Sequence, residues 1–244
     1  MRPYERVAFQ WSCHTIHRGG TLTHSEWLNT KKDFPNFAFV QSLRDQIKDS
    51  GTVYVWSPYE QSTLNRVLIQ IGEWIHRDCD EALRLSGLPS RAELMDLAKW
   101  IEQLLGPEDD KGKRQNSARI RDLHRLALRY FHPRMGGRTS IKVVLPAVWE
   151  TNAALRNHPW FKEYLKLDIN GAPLDPYKTL QALPVADGEE EDVIREGSGA
   201  IRVYQDLIFA GGLERDSMSR QNLLLQYCKL DTAAMVMIWT HWIK

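Results

Sequence analysis

From Val7 to His17 the chain alternates, with Val7, Phe9 and Trp11 set against Ala8, Gln10 and Ser12, and a period of two predicts a strand. Arg18-Gly19-Gly20 supplies a turn, and Thr21 to Leu28 returns as the second strand of a hairpin. The period then lengthens. Phe37, Val40, Leu43 and Ile47 mark one face of a helix that Asn36 can cap. Gly51 ends it, and Thr52-Val53-Tyr54-Val55-Trp56 is a short apolar strand suited to a buried sheet position. Ser57-Pro58-Tyr59-Glu60 opens a helix through Leu64, Val67, Leu68, Ile71 and Ile75, and Ala92 to Leu105 predicts another. From Arg119 the pattern predicts a helix with Ile120, Leu123, Leu126 and Tyr130 inward and Arg121, Arg125 and Arg129 outward at four-residue steps. His132 to Arg138 is a tight loop whose glycines allow close backbone approach, and a short helix leads from Ser140 to Pro146. Gly199 to Phe209 is helical, and the last helix starts at Ser217 or Ser219, with Leu223, Leu230, Ala234, Met237 and Ile238 as its core stripe. A polar insertion near 106–118 and an irregular region over 150–198 interrupt the pattern.

At 244 residues with 43% hydrophobic content, the chain can bury a full core, as one domain with insertions or at most two. No apolar run approaches the roughly 20 residues that span a bilayer, so no membrane partner is expected. Met1 to Arg6 lacks the features of a signal peptide, and three scattered cysteines imply no disulfide framework, which together suit a reducing cytoplasm. The formal charge of +1 conceals local imbalance. Lys111 to Lys142 holds ten Lys or Arg against Asp122 alone, and Asp187 to Glu196 holds six acids against Arg195. A nucleic acid responds to the local field, so the basic run matters. Arg121, Arg125 and Arg129, continued by His132, Arg134, Arg138 and Lys142, read as a phosphate-tracking surface, or else as a solvated face. Asp122 is an auxiliary acid or a partner of Arg119 or Arg125.

Tyr227 and Asp231 lie four apart on the last helix, on a face bordering the core stripe. A carboxylate there needs a partner. It can accept a hydrogen bond from the phenol or pair with a base, or it can hold a metal ion while Tyr227 positions water. Glu60 follows the strand at Thr52–Trp56 directly, where α/β sheets place ligands, although it also complements a helix N-terminus. Cys13-His14-x-x-His17 invites a zinc reading, but on a strand His14 points away from the other two.

Tyr227-x-x-x-Asp231, within Tyr227-Cys228-Lys229-Leu230-Asp231-Thr232-Ala233-Ala234-Met235-Val236, resembles the third motif of DEDD-type 3′–5′ exonucleases of the tyrosine variant. With Pro3-Tyr4 to His14 and Tyr130-Phe131-His132-Pro133 to Leu145-Pro146, it resembles a bacterial domain family of uncharacterised function. That family is grouped with RNase H-like, DnaQ-like nucleases and is often fused behind a RecB-like nuclease domain. The resemblance covers nearly the whole chain. It implies an α/β fold, a mixed sheet flanked by helices, and a nucleic-acid substrate, DNA or RNA. It implies two Mg²⁺ or Mn²⁺ ions held by carboxylates, with Glu60 and Asp231 as ligands and Tyr227 orienting water. His14 matches a recurring position of the family near the site. The pattern also calls for an Asp-x-Glu on a first, central strand, and only six residues precede Val7. The expectation is therefore an N-terminally incomplete domain, catalytically silent by itself. The alternative is a non-catalytic nucleic-acid-binding or interaction module of the same fold.

Overall fold

The hairpin forms where the alternation places it. β1 (Gln10–Ile16) pairs with β2 (Leu22–Leu28), and Gly20, at φ +77°, donates to His17 O at 2.9 Å in the turn. The chain continues through α1 (Asn36–Ile47), β3 (Val53–Val55), α2 (Tyr59–Arg77), α3 (Cys79–Ser86), α4 (Arg91–Leu105), β4 (Ile120–Asp122), α5 (His124–Ala127), α6 (Ile141–Thr151), α7 (Ala153–Arg156), α8 (Gly197–Phe209) and α9 (Glu214–Trp242). This is a computed structural model, and it describes residues 5–88, 90–110, 114, 117–180, 197–209 and 214–243. The acidic run Asp187–Glu196, Lys111 to Lys113 of the polar insertion, and Pro3 and Tyr4 lie outside those residues. Helix and strand are mixed, as expected, with helix predominating. Among the described residues the strands form two separate two-stranded sheets, β1–β2 and β3–β4, where one mixed sheet was expected. No helix of the described residues is long and apolar enough to cross a membrane.

The fold divides into two units, the first of residues 1–11 and 27–125 and the second of 12–26 and 126–244. In the first, α1, α2 and α4 bury Phe37, Val40, Val67, Ile71, Leu94, Leu97 and Ile101, each at most 1% exposed. Trp74 stacks on Phe34 and meets Phe37 edge-on. Asn36 does not cap α1, whose N-cap is Pro35. Its side chain is fully buried instead: Oδ1 accepts from Ala8 N at 2.7 Å, and Nδ2 donates to Arg6 O at 2.9 Å and Gln70 Oε1 at 2.6 Å. The cap position fails because the side chain has these buried partners to satisfy. The C-terminal end of α1 is closed by Arg119, whose guanidinium donates to the carbonyls of Ile47, Lys48, Ser50 and Gly51.

The helix expected from Arg119 does not form as one piece. Ile120–Asp122 is a strand, parallel to β3 with Val53 opposite Ile120 and Val55 opposite Asp122. An available ladder outweighs the local helical period there, since a strand's partner is chosen by tertiary placement. Consequently Arg121, Arg125 and Arg129 do not line one helix; Arg121 donates to Ser117 O and Ile120 O at 2.9 Å. Leu126, expected inward, is 43% exposed. Asp122 pairs with neither Arg119 nor Arg125 in the bonds that fix it. Its Oδ1 accepts from Ser57 N and His124 N, both at 2.9 Å, joining the ends of the two parallel strands. Ser57 adopts φ +85°, an uncommon conformation for a non-glycine residue, and this bond holds it there.

The second unit is built on α9, which begins at Glu214, earlier than either serine start. Leu223, Leu230, Ala234, Met237 and Ile238, its expected stripe, are at most 3% exposed. They pack with α6 and α8. α6 passes Pro146 at its middle and ends at Thr151: the proline removes a backbone bond, while Val144, Leu145, Ala147, Val148 and Trp149 gain burial around it. His241 near the end of α9 links Tyr130 Oη (3.1 Å) to Asn152 Nδ2 (2.8 Å).

Asn36→Leu should destabilise the first unit by roughly 2–4 kcal/mol, because it strands several buried polar groups while adding apolar volume. Urea unfolding followed by Trp fluorescence checks this. A loss below about 0.5 kcal/mol would mean the buried network contributes little.

Candidate functional site

The period of α9 puts Tyr227 and Asp231 on one face, and two other elements complete the group around them. The turn Pro176–Thr179 begins with Asp175, which accepts from Tyr177 N at 3.0 Å and so fixes the start of the turn. Tyr177 Oη then donates to Asp231 Oδ1 at 2.7 Å. The Tyr227 hydroxyl is also hydrogen-bonded to Asp231. Lys142, in the first turn of α6, donates from Nζ to Tyr227 Oη at 2.7 Å. The same ammonium lies 4.8 Å from the Tyr227 ring centre and 5.8 Å from that of Tyr177, within cation–π range of both. A carboxylate, two phenols and an ammonium thus form one cluster within the second unit.

Burial pushes the Asp231 carboxyl above the usual carboxylate range, while the Tyr177 hydrogen bond, the Lys142 charge and the Tyr227 hydrogen bond act against that rise. The Tyr177 phenol is pushed well above its ordinary value, by burial first and then by the Asp231 charge. Its proton therefore stays on the oxygen and remains directed at Asp231. Chemically, the cluster can hold an anionic oxygen beside a cation and keep a phenolic proton aimed at it.

Thr232, the next residue on α9, anchors a second polar group. Its Oγ1 lies 2.8 Å from His14 Nδ1 and 2.9 Å from Ser12 Oγ, and Ser12 Oγ lies 2.9 Å from His24 Nε2. The His14 and His24 rings are 4.5 Å apart. Burial, then the His24 ring and the Lys229 ammonium, lower the His14 pKa to about 3. His14 is neutral at pH 7. The serine–histidine–glutamate adjacency is no triad: His24 Nε2 faces both Ser12 and, at 3.7 Å, Glu26, so one nitrogen faces both groups.

Of the residues singled out in the sequence, Tyr227, Asp231 and Lys142 come together, and His14 reaches the turn of α9 next to Asp231. Lys142 is half-buried against the phenol. Glu60, Asp122, Arg121 and Arg125 belong to the first unit, Glu60 exposed in the first turn of α2. In the second unit Arg129 and Arg138 are exposed, and Arg134 pairs with Glu150. His132 Nδ1 accepts from Arg134 N at 3.3 Å. Among the described residues, no three His, Cys, Asp or Glu side chains gather as a metal site. Tyr177 was missed, since it sits in the irregular region; the signal for it was Asp175-Pro176, a cap followed by proline at the first turn position.

A family model described as Domain of unknown function (DUF2779) matches residues 1–140, which include Glu60 and end before Tyr227 and Asp231. No curated protein and no solved structure matches the chain.

Two opposed pH effects follow from the cluster. The folded pKa of His14 lies below the unfolded value of about 6.5, so the unfolded chain protonates first, and stability falls as pH drops from about 6.5 toward 3. Asp231 has a raised folded pKa, so its contribution is lost as pH rises through and above the ordinary carboxylate range. Melting temperatures across pH 4–8, a range of roughly the two ordinary pKa values, should show His14→Gln flattening the acid-side loss and Asp231→Asn the loss on the rising side. Profiles parallel to the unsubstituted protein would mean neither group titrates as stated.

Proposed function

The chain belongs to the DUF2779 family, and we propose that it is a nuclease-like domain of the metal-dependent 3′–5′ exonuclease type, acting on nucleic acid through the Tyr227–Asp231 pair. The observation that carries this reading is the pair itself: a carboxylate and a phenol hydrogen-bonded on one helical face, with the Lys142 ammonium 2.7 Å from the phenol oxygen. The order hairpin, helix, strand, helix over β1–β2–α1–β3–α2 supports an RNase H-like ancestry, with Glu60 directly after β3.

The Asp231 carboxylate suits a hard divalent ion, since Mg²⁺ or Mn²⁺ takes oxygen ligands. Asp231 would hold it together with further oxygen donors. When bound, the ion would supply Lewis-acid activation of water. The chain's own residues set the surroundings. Lys142 donates to Tyr227 Oη and so turns the phenolic proton toward Asp231. Tyr177, protonated throughout the physiological range, fixes Oδ1 of the carboxylate.

A second reading is favoured by one observation. Asp231 already receives hydrogen bonds from two phenols and the field of an ammonium, so the cluster is satisfied without an ion. On that reading the domain binds nucleic acid without cutting it.

Titration with Mn²⁺, read by the electron paramagnetic resonance of the free ion, tests the choice. The expected result is Mn²⁺ binding that Asp231→Asn abolishes. Any shortening of 3′ ends of single-stranded DNA or RNA should need Mn²⁺ and vanish in the same Asp231 variant. Oligonucleotide binding without Asp231-dependent Mn²⁺ uptake would select the second reading. Cleavage surviving Asp231→Asn would overturn the assignment.

A further inference from the structure

The segment between α5 and α6 alternates between anchored and outward residues. Tyr130 is half-buried, its hydroxyl 3.1 Å from His241 and its ring 5.7 Å from that of Trp242. Met135 is 3% exposed, at the end of the turn Pro133–Met135. Backbone bonds close the loop: Met135 N donates to His132 O at 2.9 Å and Arg138 N to Met135 O at 3.0 Å. Between these fixed points Phe131 is 80% exposed. A phenylalanine so placed contributes little to folding, since it leaves most of its apolar surface in water.

Along the chain the charge is one-sided up to Glu150, which pairs with Arg134. From His124 to Trp149 the chain has no Asp or Glu and carries Arg125, Arg129, Arg134, Arg138 and Lys142. Within the second unit, Arg129 and Arg138 are exposed. Gly136 (φ +55°) and Gly137 (φ +77°) have open space where a Cβ would stand, so a ligand can come close to the backbone there.

We propose that Phe131 is a base-stacking platform for single-stranded nucleic acid, with Arg129 and Arg138 tracking the phosphates on either side of it. The inference rests on the nucleic-acid reading above and adds to it the strandedness of the ligand and the residue that takes a base. A flat, sequence-tolerant aromatic contact needs an unpaired base with a free face, which duplex stacking hides. Tyr130 and Met135 anchor the backbone on both sides of Phe131, so the loop loses little freedom on binding. The neighbouring helix α5 has only four residues, too short to lay an amphipathic face on a lipid surface.

Fluorescence anisotropy with a labelled oligothymidylate of about fifteen nucleotides tests this. Phe131→Ala should weaken binding by roughly 5- to 100-fold, while Phe131→Tyr keeps it. On an abasic strand of equal length the unsubstituted protein and Phe131→Ala should bind alike, because only the phosphates remain. The Ala variant should melt with the unsubstituted protein, which separates stacking from folding. If the unsubstituted protein binds and Phe131→Ala binds equally well, the stacking role is wrong and the nucleic-acid reading stands. If neither binds DNA or RNA, the nucleic-acid reading fails with it. Phe131-dependent adsorption to phosphatidylglycerol vesicles without oligonucleotide binding would overturn it in favour of a lipid surface.

Discussion

Asp231 stands on the helix whose apolar stripe forms the core of the second unit, and a carboxylate there must be compensated within the protein. Leaving one member of a buried charged group without partners costs roughly 3–5 kcal/mol. The chain meets the demand from three directions: Tyr227 from the same helix, Tyr177 from a capped turn, and Lys142 from the first turn of α6. The turn Pro176–Thr179 and the start of α6 are therefore tied to α9 by hydrogen bonds as well as by packing. Thr232, one residue on, ties the strand residues His14 and Ser12 to the same helix.

The first unit obeys the same constraint with neutral groups. Asn36 and Gln70 are fully buried, and their amides satisfy each other and the backbone of Arg6 and Ala8. Its sheet is minimal, three residues on each strand, and so short a ladder is marginal in water by itself. Arg119 and Asp122 compensate from the ends. One closes the exposed carbonyls of α1, and the other takes the two backbone N–H groups that follow the strands. Substitutions at these two charged residues act on backbone groups, so their role is conformational.

For function, the cluster places a cation, a phenol and a carboxylate in hydrogen-bonding contact, a set that chemistry on phosphate esters can use and that folding alone also explains. The two uses differ in what the carboxylate does when a divalent ion is offered. The loop at Phe131 is different in kind, since its outward ring is mostly exposed and contributes little to folding.

Periodicity alone determined most elements. Alternation marked the hairpin, three- and four-residue spacing marked α1, α2, α4 and α9, and the stripe Leu223, Leu230, Ala234, Met237 and Ile238 is buried as its spacing requires. These patterns are local, and burial of a periodic face is a strong driving force. The pairing of Tyr227 with Asp231 was legible for the same reason, being one turn apart. Long-range partners were not. Asn36 looked like a cap because its neighbours in sequence favoured one, yet its amide is taken by residues 28 to 34 positions away. Ile120 to Asp122 had a helical period, yet became a strand because β3 offered a ladder. Tyr177, 54 positions from Asp231, and Lys142, 85 positions from Tyr227, joined the site only through the tertiary fold. Hydrogen bonds select their partners by position in space, which no spacing along the chain encodes, and the composition of the site was decided there.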